Sequence, residues 1–478
     1  MIVPASVTFR VAIPAVPPDL AHFAVITPPL VGHLNALQAL GRTLVRRGHR
    51  VTLLGPEDAR RWAWGDIGFH AIGRASHPPG HVERMSRRMG ALVGPLGLPA
   101  MIAGLAFDTD MVCRDAPLAL GRLGVDALIV DQMEPGGGLV ARATGLPYMS
   151  VACALPVERD VDVPPVFLGW DYDPSRRGRA RNRGGHRVAD WIMRRHQRTI
   201  ERNARRFGLP LHGGSREKYG RVADWISPTL SVSQTIPSLD FPRATTPANF
   251  HPVGPLRVHD PRVFRPAGPD GRAWRRDGRP LVFASLGTLQ GARERLFRAI
   301  AGAARDLDVQ LVMVHCGRLT PAQVRRLPGH GAPDGPYVTD FVPQGAVLDM
   351  ADAAVLHGGF NTVLDAAARA VPMVVMPLAF EQPAIATRLQ RAGVARKLSA
   401  WTTGHGGGRH DNLAHEIDRV MHDAAMRPRL DAVRAEIAAA GGAERAADLA
   451  EERLLGISRR NVTRLPTSGR ARDERGVA

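Results

Sequence analysis

The segment FVPQGAVLDMADAAVLHGGFNTVLDAAARAVPMVVMPLAFEQPAIA, from Phe341 to Ala386, decides the fold. Its short apolar run Ala353 to Leu356 predicts a strand, His357-Gly358-Gly359 a turn, and Phe360 the start of a helix. After Pro372, Met373 to Met376 predicts the next strand, with Glu381-Gln382 in the turn beyond it. Such a βαβ-like unit belongs to an open parallel sheet, which binds ligands at the carboxyl ends of its strands. The helix's first turn, Phe360-Asn361-Thr362, offers unpaired backbone N–H groups at the positive end of the helix dipole, which suits a diphosphate. His357 stands beside that turn. Asp365 lies one helical turn beyond Thr362 on the same side, where a carboxylate can accept both hydroxyl protons of a ribose. Glycines after a strand can equally serve only to let a helix pack. The whole set, at compatible spacing, points to a nucleotide-sugar site.

Outward from this block, the same rhythm recurs. Leu281 to Ser285 predicts a strand ending in the turn Leu286-Gly287-Thr288, and HFAVITPPLVGHLNALQALGRTLVRRGHRVTLL, beginning at His22, predicts strand, loop, helix and strand. Further strands are expected at Asp126 to Val130 and Tyr148 to Ala152. The chain is thus divided into an extension (1–21), a first Rossmann-like domain (22–250), a Pro- and Gly-rich linker (251–278), a second Rossmann-like domain (279–403), helices (404–457) and a polar, disordered tail (458–478). The Pro-, Gly- and Arg-rich stretch from Pro164 to Arg187 breaks the rhythm and predicts an insertion or loop on the acceptor side.

These motifs resemble the donor-binding signature of the inverting, nucleoside-diphosphate-sugar-dependent glycosyltransferases of the GT-B fold. In that family an aromatic residue lies under the uracil and is followed by x-Pro-Gln, matched by Phe341-Val342-Pro343-Gln344. The resemblance implies phosphate contacts by His357, by Gly359, Phe360, Asn361 and Thr362, and by Thr288 in its own turn; a ribose contact by Asp365; and sugar contacts by Glu381 and Gln382. It also implies that His33, in a Gly-His-x-Asn turn, is the catalytic base, and that Asp131, at the end of DALIVD, is its partner. Phe341 for Trp, Asp365 for Glu and Glu381 for Asp depart from the family pattern, and donor preference is expected to differ there. The phrases ASLGTLQG, DWIMRRH, SQTIPSLDFPR and HPVGPLR are similar to those of bacterial zeaxanthin glucosyltransferases, over a span from about His22 to the helices before Ser458. The implied fold is two Rossmann-like domains facing across a cleft, with C-terminal helices returning to the first. The implied reaction transfers glucose from UDP-glucose to zeaxanthin or a similar hydroxylated carotenoid, giving β-glucosides. A macrolide or polyketide acceptor is the alternative within the fold, and a non-transferring nucleotide-sugar enzyme such as an epimerase the alternative outside transfer.

Independently of any resemblance, histidine suits the removal of a hydroxyl proton, because its unperturbed pKa lies near ~6.5. A carboxylate fixes its tautomer and stabilises the imidazolium that forms. Three Asp-x-Asp triplets, at Asp108, Asp160 and Asp171, show how common that motif is; none lies in the donor block, and neither a metal nor a further cofactor is expected.

Composition agrees with an enzyme of two domains: 478 residues, 44% hydrophobic and 5% aromatic. No run approaches the ~18–20 apolar residues of a membrane span. The N-terminus, broken by Arg10 and four prolines, does not read as a signal peptide, and a cytoplasmic location, with peripheral contact at the inner face of the cell membrane, is expected. Cys113, Cys153 and Cys316 show no CxxC spacing and read as thiols in a reducing compartment. The net charge of +18 comes almost wholly from arginine, since Lys218 and Lys397 are the only lysines. No nucleic-acid motif accompanies it. The densest basic cluster, Arg176 to Arg206 with Trp191 inside it, fits either an anionic membrane surface or a solvated helix face.

Overall fold

The apolar runs of the first half pair as one parallel sheet. A computed structural model of the chain describes residues 20–91, 98–210, 221–258, 262–264, 276–400 and 410–457. The expected tail, nearly all of the N-terminal extension and half of the linker lie outside the described residues. The first sheet consists of β1 (His22–Ile26), β2 (Arg50–Gly55), β3 (Gly68–Ala71), β4 (Ala127–Asp131), β5 (Tyr148–Ala152), β6 (Leu230–Ser233) and β7 (Phe250–Pro252), in the order β3-β2-β1-β4-β5-β6-β7. Four of these were legible as apolar runs. GFHA, LSVS and FHP are too short or too polar to be read alone, and they lie towards the sheet edges. β7 carries the first sheet to Pro252, past the expected boundary at 250, and Val253 and Leu256 bury in the same core.

The second sheet repeats the plan with β8 (Leu281–Ser285), β9 (Gln310–Val314), β10 (Tyr337–Thr339), β11 (Ala353–Leu356), β12 (Met373–Val375) and β13 (Ala395–Lys397), ordered β10-β9-β8-β11-β12-β13. Every pairing in both sheets is parallel, and the central strands are buried along their whole length, as a sheet covered by helices on both faces requires. Strand order reverses between β1 and β4 and between β8 and β11. The connecting loops diverge at those two points, leaving a crevice above each sheet.

The expected return of the C-terminal helices to the first domain is made in stages: His410–His422 and Met426–Ala440 bury Leu413, Ile417, Val420, Leu430 and Val433 in the second core, and Met426–Ala440 reaches the first domain at its end, where Glu436 Oε1 accepts from the Ser238 amide at 3.1 Å. Gly442–Leu455 then crosses back fully, packing Ala443, Ala446, Ala447 and Ala450 against the helix Val31–Arg46. There Arg47 donates to Glu444, Asp448 and Glu451 at 2.6, 2.8 and 2.9 Å. These acids are spaced to share one helix face.

One expectation, the loop up to Arg187, needs correction. Arg176–Arg206 is a single 31-residue helix, capped by the Ser175 hydroxyl, which accepts from the Gly178 amide. Arginine is a good helix former, so only the glycines argued against a helix. Two of them are sites of close packing: a Cβ on Gly178 would meet the Asp173 carbonyl and one on Gly185 the Trp170 ring.

Candidate active site

A cavity of about 1350 Å³ lies between the domains, and the loops after β1, β8 and β11 open into it. It is lined by every residue expected at the site except Asp131: His33, Thr288, Phe341, Val342, Gln344, His357, Gly359, Phe360, Asn361, Thr362, Asp365, Glu381 and Gln382. Asp131 stands directly behind His33.

His33 occupies the first turn of the helix Val31–Arg46, placed there by the Pro28-Pro29 bend after β1. Its Nδ1 lies 2.7 Å from Asp131 Oδ2, at the end of the neighbouring strand β4. The same oxygen accepts from Thr27 Oγ1 at 2.9 Å, and Oδ1 accepts from the Met133 amide at 2.9 Å. Nδ1 is therefore the donor nitrogen, and Nε2 is left to accept a proton. Burial opposes a charged imidazole, but the Asp131 charge and hydrogen bond outweigh it, Glu381 adds to them, and the His33 pKa is raised. Burial likewise opposes ionisation of Asp131, yet His33, the Met133 amide and Thr27 hold its pKa below the usual range.

Across the cleft, His357 follows β11 and its Nδ1 faces the Ser285 carbonyl at 3.4 Å. Burial pushes its pKa down to about 4. Two glycines wrap the ring: a Cβ on Gly287 or Gly359 would lie 2.5 Å from it, and Gly287 has φ +73°. The helix Phe360–Ala367 begins at Gly359 with no side-chain cap, so its first amides point into the cavity unshielded by protein. Phe341 presents a ring that is 68% exposed. Gln344 Nε2 donates to Asp365 Oδ2 at 2.7 Å, joining the two residues expected near the ribose. Gln382 spends its carbonyl oxygen on the Leu378 and Ala379 amides, which leaves its NH₂ group for a ligand. Burial raises the pKa of Glu381, against the pull of His33.

Sequence reading missed Gln234 and Arg257. Arg257 donates Nε to Asp365 Oδ1 at 2.7 Å, Nη1 to Gln234 Oε1 at 2.9 Å and Nη2 to the Asn361 carbonyl at 3.0 Å. Gln234 Nε2 in turn reaches Asn361 Oδ1 at 3.1 Å, and Asn361 Nδ2 donates to the Gly32 carbonyl at 2.7 Å. The turn that carries His33 is thus tied to the helix that carries the anion cradle. Both residues lie within the phrases SQTIPSLDFPR and HPVGPLR, but nothing in those phrases shows which side chain spans the cleft.

The Asp-x-Asp triplets have structural partners and none lines the cavity. Asp110 takes Arg202, Asp162 takes Arg179, Asp160 accepts three backbone amides, and Asp173 accepts the Ser175 amide. Among the described residues two groups bring possible metal-ligand atoms within 4.8 Å of one another: His33, Asp131 and Cys153, and, outside the cavity lining, His77, His81 and Asp108. In each a histidine already hydrogen-bonds the carboxylate, at 2.7 and 2.9 Å.

The chain is 41% identical over 434 residues to a zeaxanthin glucosyltransferase of Pantoea ananas, covering 91% of this chain and 96% of the relative. Residues 300–451 match the family model described as erythromycin biosynthesis protein CIII-like, C-terminal domain. The chain belongs to the GT-B glycosyltransferase family. This glycosyltransferase is also 38% identical to a zeaxanthin glucosyltransferase of Pseudescherichia vulneris, over 91% of its own length and 99% of the relative's. The crystal structure of the glycotransferase of kitacinnamycin shares its fold, with a TM-score of 0.67 at 21% identity over 91% of this chain and 100% of that one. The parallel sheets, the cleft and the family agree on an enzyme that moves a sugar from a nucleotide donor to an acceptor. Among the described residues no helix is long and apolar enough to cross a membrane.

Proposed function

We propose that the enzyme transfers glucose from UDP-glucose to the ring hydroxyls of zeaxanthin or a closely similar carotenoid by a single inverting displacement. The observation that carries this reading is the His33–Asp131 pair facing an uncapped helix N-terminus across one cavity. The acceptor oxygen gives its proton to His33 Nε2 as it bonds to the anomeric carbon, while the bond from that carbon to the β-phosphate oxygen breaks. Asp131 stabilises the imidazolium, and the charge on the leaving diphosphate is met by the Phe360–Thr362 amides, Thr288 and His357. Phe341 stacks on the base, and Gln344 and Asp365 hold the ribose. The acceptor half of the cavity includes apolar groups, among them Met101, Leu105, Pro164, Phe167 and Met193, on which a polyene can lie, beside polar ones such as Glu158 and Asp190. Zeaxanthin carries a hydroxyl at each end, so a diglucoside takes two turnovers.

Mass analysis of products from UDP-glucose with zeaxanthin, with a macrolide aglycone, and with no acceptor tests this reading. Mono- and diglucosides of zeaxanthin are expected. Glucosylation of the macrolide alone would overturn the acceptor, and conversion of UDP-glucose without acceptor into a UDP-sugar of equal mass but different chromatographic retention would replace transfer with isomerisation. We also expect full activity in excess EDTA, because fixed dipoles meet the leaving charge; loss of activity restored by Mn²⁺ would sink that expectation.

A further inference from the structure

The helix Arg176–Arg206 carries twelve arginines and two acids, a pattern that transfer chemistry does not use. One of its faces, through His186, Ala189, Met193 and Gln197, lines the acceptor half of the cavity. At ~100° per residue, Arg187, Trp191, Arg194 and Arg198 form a second stripe about a third of a turn away. On this side Trp191 is 64% exposed and Val188 58%, and the Arg194 guanidinium lies over the Trp191 ring at 5.3 Å. Arg179 and Arg202, flanking the stripe, are held by Asp162 and Asp110. Among the described residues no carboxylate pairs with Arg187, Arg194, Arg195 or Arg198. Phe167, at 38% exposure, belongs to the lining of the same cavity.

Solvated arginines alone would need no explanation. An indole and a valine held out among them do, because that mixture suits the boundary between headgroups and acyl chains, where cations meet anionic lipid and the ring is half immersed. We propose that this face docks on the anionic surface of a bilayer, setting the acceptor side of the cavity at headgroup level. Docking stands on the helix alone. The further step, that a membrane-borne acceptor reaches His33 from the bilayer, rests on the carotenoid reading above.

The test is cosedimentation of the full chain with phosphatidylcholine vesicles, with or without about one-third phosphatidylglycerol, at low and high salt. Wild type should pellet with anionic vesicles only, and release on raising the salt. Combined Arg187→Gln, Arg194→Gln and Arg198→Gln should weaken binding by at least roughly tenfold, and Trp191→Ser should weaken it several-fold, since each lost cation or anchor removes an independent contribution. None of these residues lines the cavity, so turnover of detergent-dispersed zeaxanthin should be unchanged in the variants while turnover of vesicle-borne zeaxanthin falls with binding. Equal binding to neutral vesicles, no binding, wild-type binding by the variants, or displacement from vesicles by a DNA duplex at lower concentration than the lipid would each overturn the proposal. Vesicle binding with no glucosylation in either format would leave docking intact and overturn the carotenoid reading instead.

Discussion

His33 and Asp131 are oppositely perturbed by one contact, and the direction of each shift fixes what the pair can do with pH. The base is competent only when neutral. Because Asp131 raises the His33 pKa despite burial, kcat/KM should rise with pH through an inflection above the ordinary value of 6.5. Asp131→Asn removes the main raising influence and leaves burial opposed only by Glu381, so the inflection should move downward while the plateau falls. His33→Ala should lower turnover by ~10²–10⁴-fold and leave UDP binding largely intact, since the anion cradle lies on the other domain. A pH profile unmoved by Asp131→Asn, or turnover within about tenfold of wild type in His33→Ala, would remove the pair from the reaction. Both residues were legible because each ends an apolar run that predicts a central strand or opens the loop after one. Thr27 was not, since its hydroxyl matters only once β1 and β4 are neighbours.

At the level of elements, short loops at the two points of strand reversal carry most of the site. Gly287 makes the loop after β8 possible on two counts: its φ of +73° is costly for other residues, and its missing Cβ leaves room for the His357 ring. Gly287→Ala should therefore displace His357 and reduce affinity for UDP-glucose by roughly tenfold or more, at a backbone cost of about 1–2 kcal/mol. That cost corresponds to a melting shift of only a few degrees in a domain of this size. Unchanged affinity with a loss of more than about 10 °C would assign the glycine to folding rather than to the site. Calorimetric titration and thermal melting together decide. Loops of this kind announce themselves through glycine, whereas Arg176–Arg206 hid as a helix because its glycines serve packing and its arginines carry no 3.6-residue apolar period.

Across the whole molecule, catalysis needs two separately cored domains held in one register. The residues that do this were the least legible, because their partners lie more than a hundred positions away and each side chain is ordinary alone. Arg388, 3% exposed on the helix Gln382–Ala392, donates to Asp240 of the first domain at 2.8 Å and lies 4.1 Å over the Phe241 ring. Asp240 keeps a second partner in Arg243 at 3.3 Å, so loss of Arg388 does not leave it wholly unpaired. The cost of Arg388→Ala should then fall at or below the low end of the ~3–5 kcal/mol typical of a broken buried pair. Each sheet retains its own core, joined across the interface by Leu155, Ile236 and Leu239 of the first domain, so the loss should appear as weaker coupling between domains, with one calorimetric transition separating into two. The anion cradle stays whole on the second domain, and affinity for UDP should change little. His33 and the cradle, however, belong to opposite domains, and small errors in their separation are expensive: kcat/KM should fall by ~10–10²-fold. A single transition at the wild-type temperature with unchanged kcat/KM would show that the Asn361–Gly32 and Arg257–Asp365 contacts hold the register without Arg388.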